Sequence, residues 1–114
     1  MKKFSRTSKQ LESKDGYIAS AMAIVGNKWT ALILRDLHGG PKRFGELEKS
    51  LHGISPRTLS QRLDDLEHCD ILTKQSFNEV PPRTEYTLTQ KGRDLVPVLQ
   101  QMAAWGNKYY EKRP

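Results

Sequence analysis

Arg57 and Gln61 stand one helical turn apart and carry the strongest chemical signal in this 114-residue chain. An arginine pairs bidentately with guanine O6 and N7, and a glutamine pairs in the same way with adenine N6 and N7. Ser55, Thr58 and Ser60 surround them with hydroxyls suited to phosphate or base edges. From Ser55 to Arg62 there are two arginines and no acid, whereas Asp64 to Asp70 holds Asp64, Asp65, Glu67 and Asp70 with no lysine or arginine. A helix lying along phosphates for its whole length does not place four acids in its second half. A helix that enters a groove by its N-terminal end does, because its first turns and positive dipole end make the contact. Reaction chemistry has no comparable signal. His38, His52 and His68 are scattered, no carboxylate pair has ligand spacing, and neither a nucleophile motif nor a phosphate-binding glycine loop occurs. No enzyme activity, metal or cofactor is expected.

The elements that position these side chains follow from periodicity. Tyr17, Ile18, Ala21, Met22 and Val25 recur at helical spacing and predict a helix over about 16–25. Gly26-Asn27 breaks it, and Asn27 is a good N-cap for the next helix, whose apolar face is Trp29, Leu32, Ile33 and Leu37. Gly39-Gly40-Pro41 ends that helix. Phe44, Leu47 and Leu51 give a third, short helix. After His52-Gly53-Ile54, Ser55 caps a fourth with Pro56 at its first position, where a missing N–H costs nothing. Leu59, Leu63 and Leu66 face inward, so Arg57, Gln61, Asp64 and His68 point out, Thr58 and Ser60 flank, and Arg62 lies nearer the buried edge. Residues 44–66 thus outline a helix-turn-helix. Ile71–Phe77 and Thr84–Leu88 read as two strands around a proline-containing loop, a β-hairpin wing. Thr89 then caps a long last helix with the stripe Leu95, Val98, Leu99, Met102, Trp105 and Tyr109, and Pro97 predicts a kink or a break in it. The fold class is mainly α with a small β-hairpin, a winged helix-turn-helix with extra terminal helices.

Charge and composition fit this reading. The formal net charge is +6. Residues 1–14 hold five cations against one acid, four of those six charges. Residues 1–15 are expected to be a basic, flexible arm, and 16–112 a single folded unit that binds DNA and dimerises. The arm is either a solvated tail or a strap on phosphates or a partner subunit. No run reaches the roughly 18 apolar residues of a membrane span, so no membrane partner is expected. The basic start leads into no apolar segment of the signal-peptide kind. A single cysteine, Cys69, excludes an internal disulfide and fits a cytoplasmic, nucleoid-associated location.

Taken in order, these stretches resemble the HxlR-type family of bacterial winged helix-turn-helix transcription regulators. The matching residues are Gly26 to Thr30, Leu32 to Leu37, Gly40 to Leu47, Ile54 to Leu63, Leu66-Glu67, Val80 to Thr89 with Gly92, and Trp105. The resemblance covers about residues 17–110. It implies a homodimer formed through the first and last helices, at Tyr17, Ile18, Met22, Leu99, Met102, Trp105 and Tyr109. It implies a recognition helix over 55–69 and a wing over 71–88, acting on a pseudo-palindromic operator, with repression the expected effect. Arg57, Thr58, Ser60 and Gln61 then meet base edges or nearby phosphates, while Ser55, Arg62, Lys42, Arg43 and Arg83 hold the backbone. Two departures stand out. Many family members carry a cysteine before the first helix, in some a sensor of oxidants or electrophiles, where this chain has Asp15-Gly16-Tyr17. The family tends to have glycine after the recognition helix, where this chain has Asp70, a residue that tolerates left-handed backbone.

Other readings compete at single positions. Cys69 is either an inert thiol or a redox sensor. Its acidic neighbours and the nearby helix C-terminal end disfavour a thiolate. Trp29, Trp105 and Tyr109 are either core and interface or the lining of a pocket for an unknown small-molecule or electrophile effector. The whole domain could instead be a winged-helix protein-interaction module, or an architectural protein that binds nucleic acid without sequence preference. The last predicts steep salt dependence and no operator preference.

Overall fold

The structure, a computed structural model, describes residues 16–110. The basic arm lies outside them. Five helices and three short strands follow in order: α1 Tyr17–Val25, α2 Lys28–His38, β1 Lys42–Arg43, α3 Phe44–Ser50, α4 Pro56–His68, β2 Leu72–Phe77, β3 Arg83–Leu88 and α5 Gln90–Tyr109. The winged helix-turn-helix read from the sequence is present.

The predicted caps form. Asn27 Oδ1 accepts from the backbone N–H of Trp29 at 2.8 Å and of Thr30 at 3.3 Å, starting α2. Gly26 closes α1 with its N–H on Met22 O, and a Cβ there would lie 2.6 Å from that oxygen. Thr89 Oγ1 accepts from Gly92 N at 3.1 Å and starts α5. After α4 the Ile71 N–H reaches back to Leu66 O at 2.9 Å, which requires Asp70 to adopt φ 60°. The aspartate fills the left-handed position as expected.

Ile33 and Leu34 of α2, Leu47 of α3, Leu51, Leu59 and Leu63 of α4, and Ile71 and Leu72 at the root of the wing are fully buried together. At about 25 cal/mol per Å², burying each such side chain stabilises the fold by roughly 1.5–3 kcal/mol before the entropy of ordering it is subtracted. Both helices of the helix-turn-helix are therefore held by one core.

Two expectations are corrected. The wing is not a lone hairpin. β1 pairs antiparallel with β3, Lys42 opposite Tyr86 and Arg43 opposite Glu85, giving a three-stranded sheet in the order β1-β3-β2. Two residues behind a proline are too few to show any alternation. Of the kink or break expected at Pro97, the break is absent, and the last helix runs 20 residues through it. Val96 is buried and Leu95 and Leu99 pack on the core, so tertiary contacts hold the turns on either side of the missing N–H. Val96, absent from the predicted stripe, is its innermost member, while Val98 is exposed.

Candidate DNA-binding surface

Ser55 organises the start of α4. Its Oγ accepts from Thr58 N–H at 3.0 Å, and its hydroxyl donates to Thr58 Oγ1 at 2.9 Å. Pro56 follows at the first helical position. Arg57, Ser60 and Gln61 are exposed and Thr58 is half-buried, so the acid-free end of the helix faces solvent. Tyr86 of β3 is buried, and its hydroxyl is held above the usual 10.0 by that burial and then by the charges of Asp64 and Glu67. The charges of Asp64 and Glu67 are thus felt at the sheet, while the first half of α4 presents Arg57 with hydroxyls and the amide of Gln61.

Cations also stand on the neighbouring elements. Lys42 and Lys74 are register partners of Tyr86 from opposite sides, so one row across the sheet reads lysine, tyrosine, lysine. Arg43 N–H is tied to Glu46 Oε1 at 2.8 Å, which fixes the turn into α3 and leaves the Arg43 side chain exposed. Arg43 of β1 and Glu46 and Lys49 of α3 line one cleft with Pro82, Arg83 and Thr84 of the wing. Lys49 and Lys74 were not singled out from the sequence. Lys74 was legible in principle, because the hairpin register places it beside Tyr86. Lys49 was not, because its position depends on how α3 meets the wing.

Two expected phosphate contacts are otherwise engaged. Arg62 pairs with Asp65 at 3.1 Å and lines a small cavity with Ile24, Asn27 and Thr30, away from the Arg57 and Gln61 face. Arg83 stacks 4.1 Å over the Phe77 ring and pairs with Glu79 at 3.3 Å and Glu85 at 3.7 Å. It is a strut of the wing whose charge is offset by two acids.

The remaining residues fall on the far side. Tyr17, Ile18, Met22, Met102, Trp105 and Tyr109 are exposed apolar side chains of α1 and α5, whereas Leu99 packs on the core of its own chain. Trp105 stacks with Tyr109 at 5.3 Å between ring centroids. Trp29 instead packs on the core beneath Lys28, so these three aromatics do not share a pocket. Cys69 is exposed at the C-terminal cap of α4, where its carbonyl accepts from Lys91 Nζ at 2.8 Å. Among the described residues no group of His, Cys, Asp and Glu could hold a metal ion. No single helix among them is long and apolar enough to cross a membrane.

A helix-turn-helix, a wing on its recognition helix and long terminal helices recur in known proteins. The family model described as HxlR-like helix-turn-helix matches residues 24–114. The chain belongs to this family. It is 40% identical over 92 residues to the HTH-type transcriptional regulator YodB of Bacillus subtilis, covering 81% of this chain and 82% of YodB. Among solved structures it is similar to YodB from B. subtilis in its reduced form, with TM-score 0.74 and 38% identity over 84% of this chain and 94% of that one. It is also similar to the redox regulator HypR in its reduced form, with TM-score 0.78 and 32% identity over 82% and 93%. The resemblance drawn from the motifs holds: this HxlR-type chain is a winged helix-turn-helix transcription regulator.

Proposed function

We propose that this HxlR-type regulator binds a pseudo-palindromic operator as a homodimer and represses transcription, acting on cytoplasmic DNA. Residues 16–112 form the binding and dimerising unit, and the arm of 1–15 adds charge. The single observation that carries the reading is the polarity of α4. Arg57, Ser60 and Gln61 stand exposed on its acid-free first half, while Asp64, Asp65 and Glu67 fall in its second. Those three side chains, with Thr58, read base edges or adjacent phosphates. Ser55, Lys42, Arg43, Lys49 and Lys74 hold the backbone. Arg62 and Arg83 shape the surface from behind.

The exposed stripe of Val98, Met102, Trp105 and Tyr109, together with Tyr17, Ile18 and Met22, supports the homodimer, since apolar area of this kind marks an interface. Two recognition helices then enter major grooves about one helical turn apart, roughly 34–36 Å.

Selection from a random duplex library, followed by anisotropy titration at fixed physiological salt, tests the proposal. A two-fold-symmetric consensus bound at least about a thousandfold more tightly than a scrambled duplex is expected. Equal binding of both duplexes overturns it in favour of an architectural or protein-interaction role.

A further inference from the structure

α2 and α5 part along an apolar cleft of about 460 Å³, lined by no residue of α4 or the wing. Leu32, Leu99 and Met102 form its walls, and the small side chains of Ala31 and Ala103 leave its middle open. That volume lies within the roughly 300–1,000 Å³ of small-molecule sites, which are mostly apolar with a few fixed polar groups.

We propose that this cleft binds a small apolar carboxylate. Its polar lining is cationic or neutral. Arg35 and His38 of α2 stand at the rim with Gln100 of α5, and no acid lines it. Asp36, the acid next to Arg35 in sequence, is largely buried and faces it, the Arg35 Nε and Nη2 both lying 3.0 Å from Asp36 Oδ1. That clasp fixes the guanidinium at the rim, and neither contact uses Nη1. A carboxylate seated there gains charge-assisted hydrogen bonds from an arginine already ordered, while its apolar body leaves water.

The cleft and the proposed dimer stripe occupy different faces of α5. At about 100° per residue, Val96, Leu99, Gln100 and Ala103 point toward α2, whereas Val98, Trp105 and Tyr109 point to another side. Met102 belongs to the stripe and also lines the cleft, so the ligand site and the proposed dimer surface meet at this one side chain. α2 packs against α4 as well as α5, so a wedge in the cleft reaches the recognition helix. That last consequence rests on the proposed DNA reading; the binding itself does not.

The test is 2-naphthoate titrated into the full chain without DNA, followed by calorimetry and by methyl NMR of Leu32, Leu99 and Ala103. Neutral 2-naphthamide serves as the comparison. Saturable binding with shifts at those methyls is expected, with the amide roughly tenfold weaker. Arg35→Gln should remove the preference for the acid, and Ala103→Phe should abolish binding of both probes. No saturable binding, shifts centred on the Trp105 face, or equal binding of acid and amide by the unmodified chain overturns the proposal. The acid and amide comparison on the unmodified chain stands even where a variant fails to fold. Failure here leaves operator binding untouched, because no DNA is present.

Discussion

Ser55 and Thr58 lock the first turn of the recognition helix by two hydrogen bonds, Thr58 N–H to Ser55 Oγ at 3.0 Å and Ser55 Oγ–H to Thr58 Oγ1 at 2.9 Å. The turn that presents Arg57 and Gln61 is therefore ordered before DNA arrives. Little conformational entropy is left to be lost there on binding.

Removing that cap has a measurable cost. Ser55→Ala should lower stability by about 1 kcal/mol, the usual effect of deleting a serine cap. For a domain of this size, that is a fall of roughly 4–8 °C in Tm. Thermal melts of the two proteins check it, and an unchanged Tm would mean the cap is idle.

The junction of wing and last helix tolerates no side chain at Gly92. A Cβ there would lie 2.1 Å from Ile71 O and 3.1 Å from Leu88 Cδ2. Ile71 O cannot swing aside freely, because it accepts the Thr89 N–H at 3.0 Å. Gly92→Ala should cost about 2 kcal/mol or more through overpacking. Gly45→Ala, whose Cβ meets nothing within 4 Å, should cost far less. Denaturant titration of both variants gives the comparison.

The helices, their caps and the inward leucines were legible because each depends on residues within one turn of one another. The left-handed Asp70 was legible for the same reason. What depended on distant pairing was not. β1 exists only because β3 lies beside it, and Lys49 comes to line a cleft with the wing only where α3 meets it. Arg83 shows the limit most plainly. Its charge and place predicted a phosphate contact, but the cross-strand Phe77 and the acids Glu79 and Glu85 engage it. Pro97 shows the converse, a local rule overridden by packing of Val96 and its neighbours.

The acids around Arg83 restrain the wing. Replacing both, as Glu79→Gln with Glu85→Gln, should release the guanidinium. Binding to all duplexes should tighten, and the log–log salt dependence should steepen by about one unit, as for one added phosphate contact. An unchanged salt slope would place Arg83 away from the DNA.

Tyr86 makes stability fall at high pH. Burial and then the charges of Asp64 and Glu67 hold its proton beyond 10.0 in the folded chain. The unfolded chain releases that proton first. The stabilisation is fully present below about pH 10 and is lost as pH rises through the higher folded value. Unfolding curves of Tyr86→Phe should lack this part of the alkaline decline, and an identical decline in both proteins would contradict the placement.

The central claim is that α4 reads bases with its first half while other cations only hold the backbone. The direct measurement is the affinity of Gln61→Ala and Arg43→Ala for a panel of single-base variants of the selected operator at one salt concentration. Gln61→Ala should flatten preference at one position in each half-site, losing about 1–3 kcal/mol of discrimination there. Arg43→Ala should weaken every duplex alike and lower the salt slope by about one. Equal, sequence-blind losses from both variants would contradict the account.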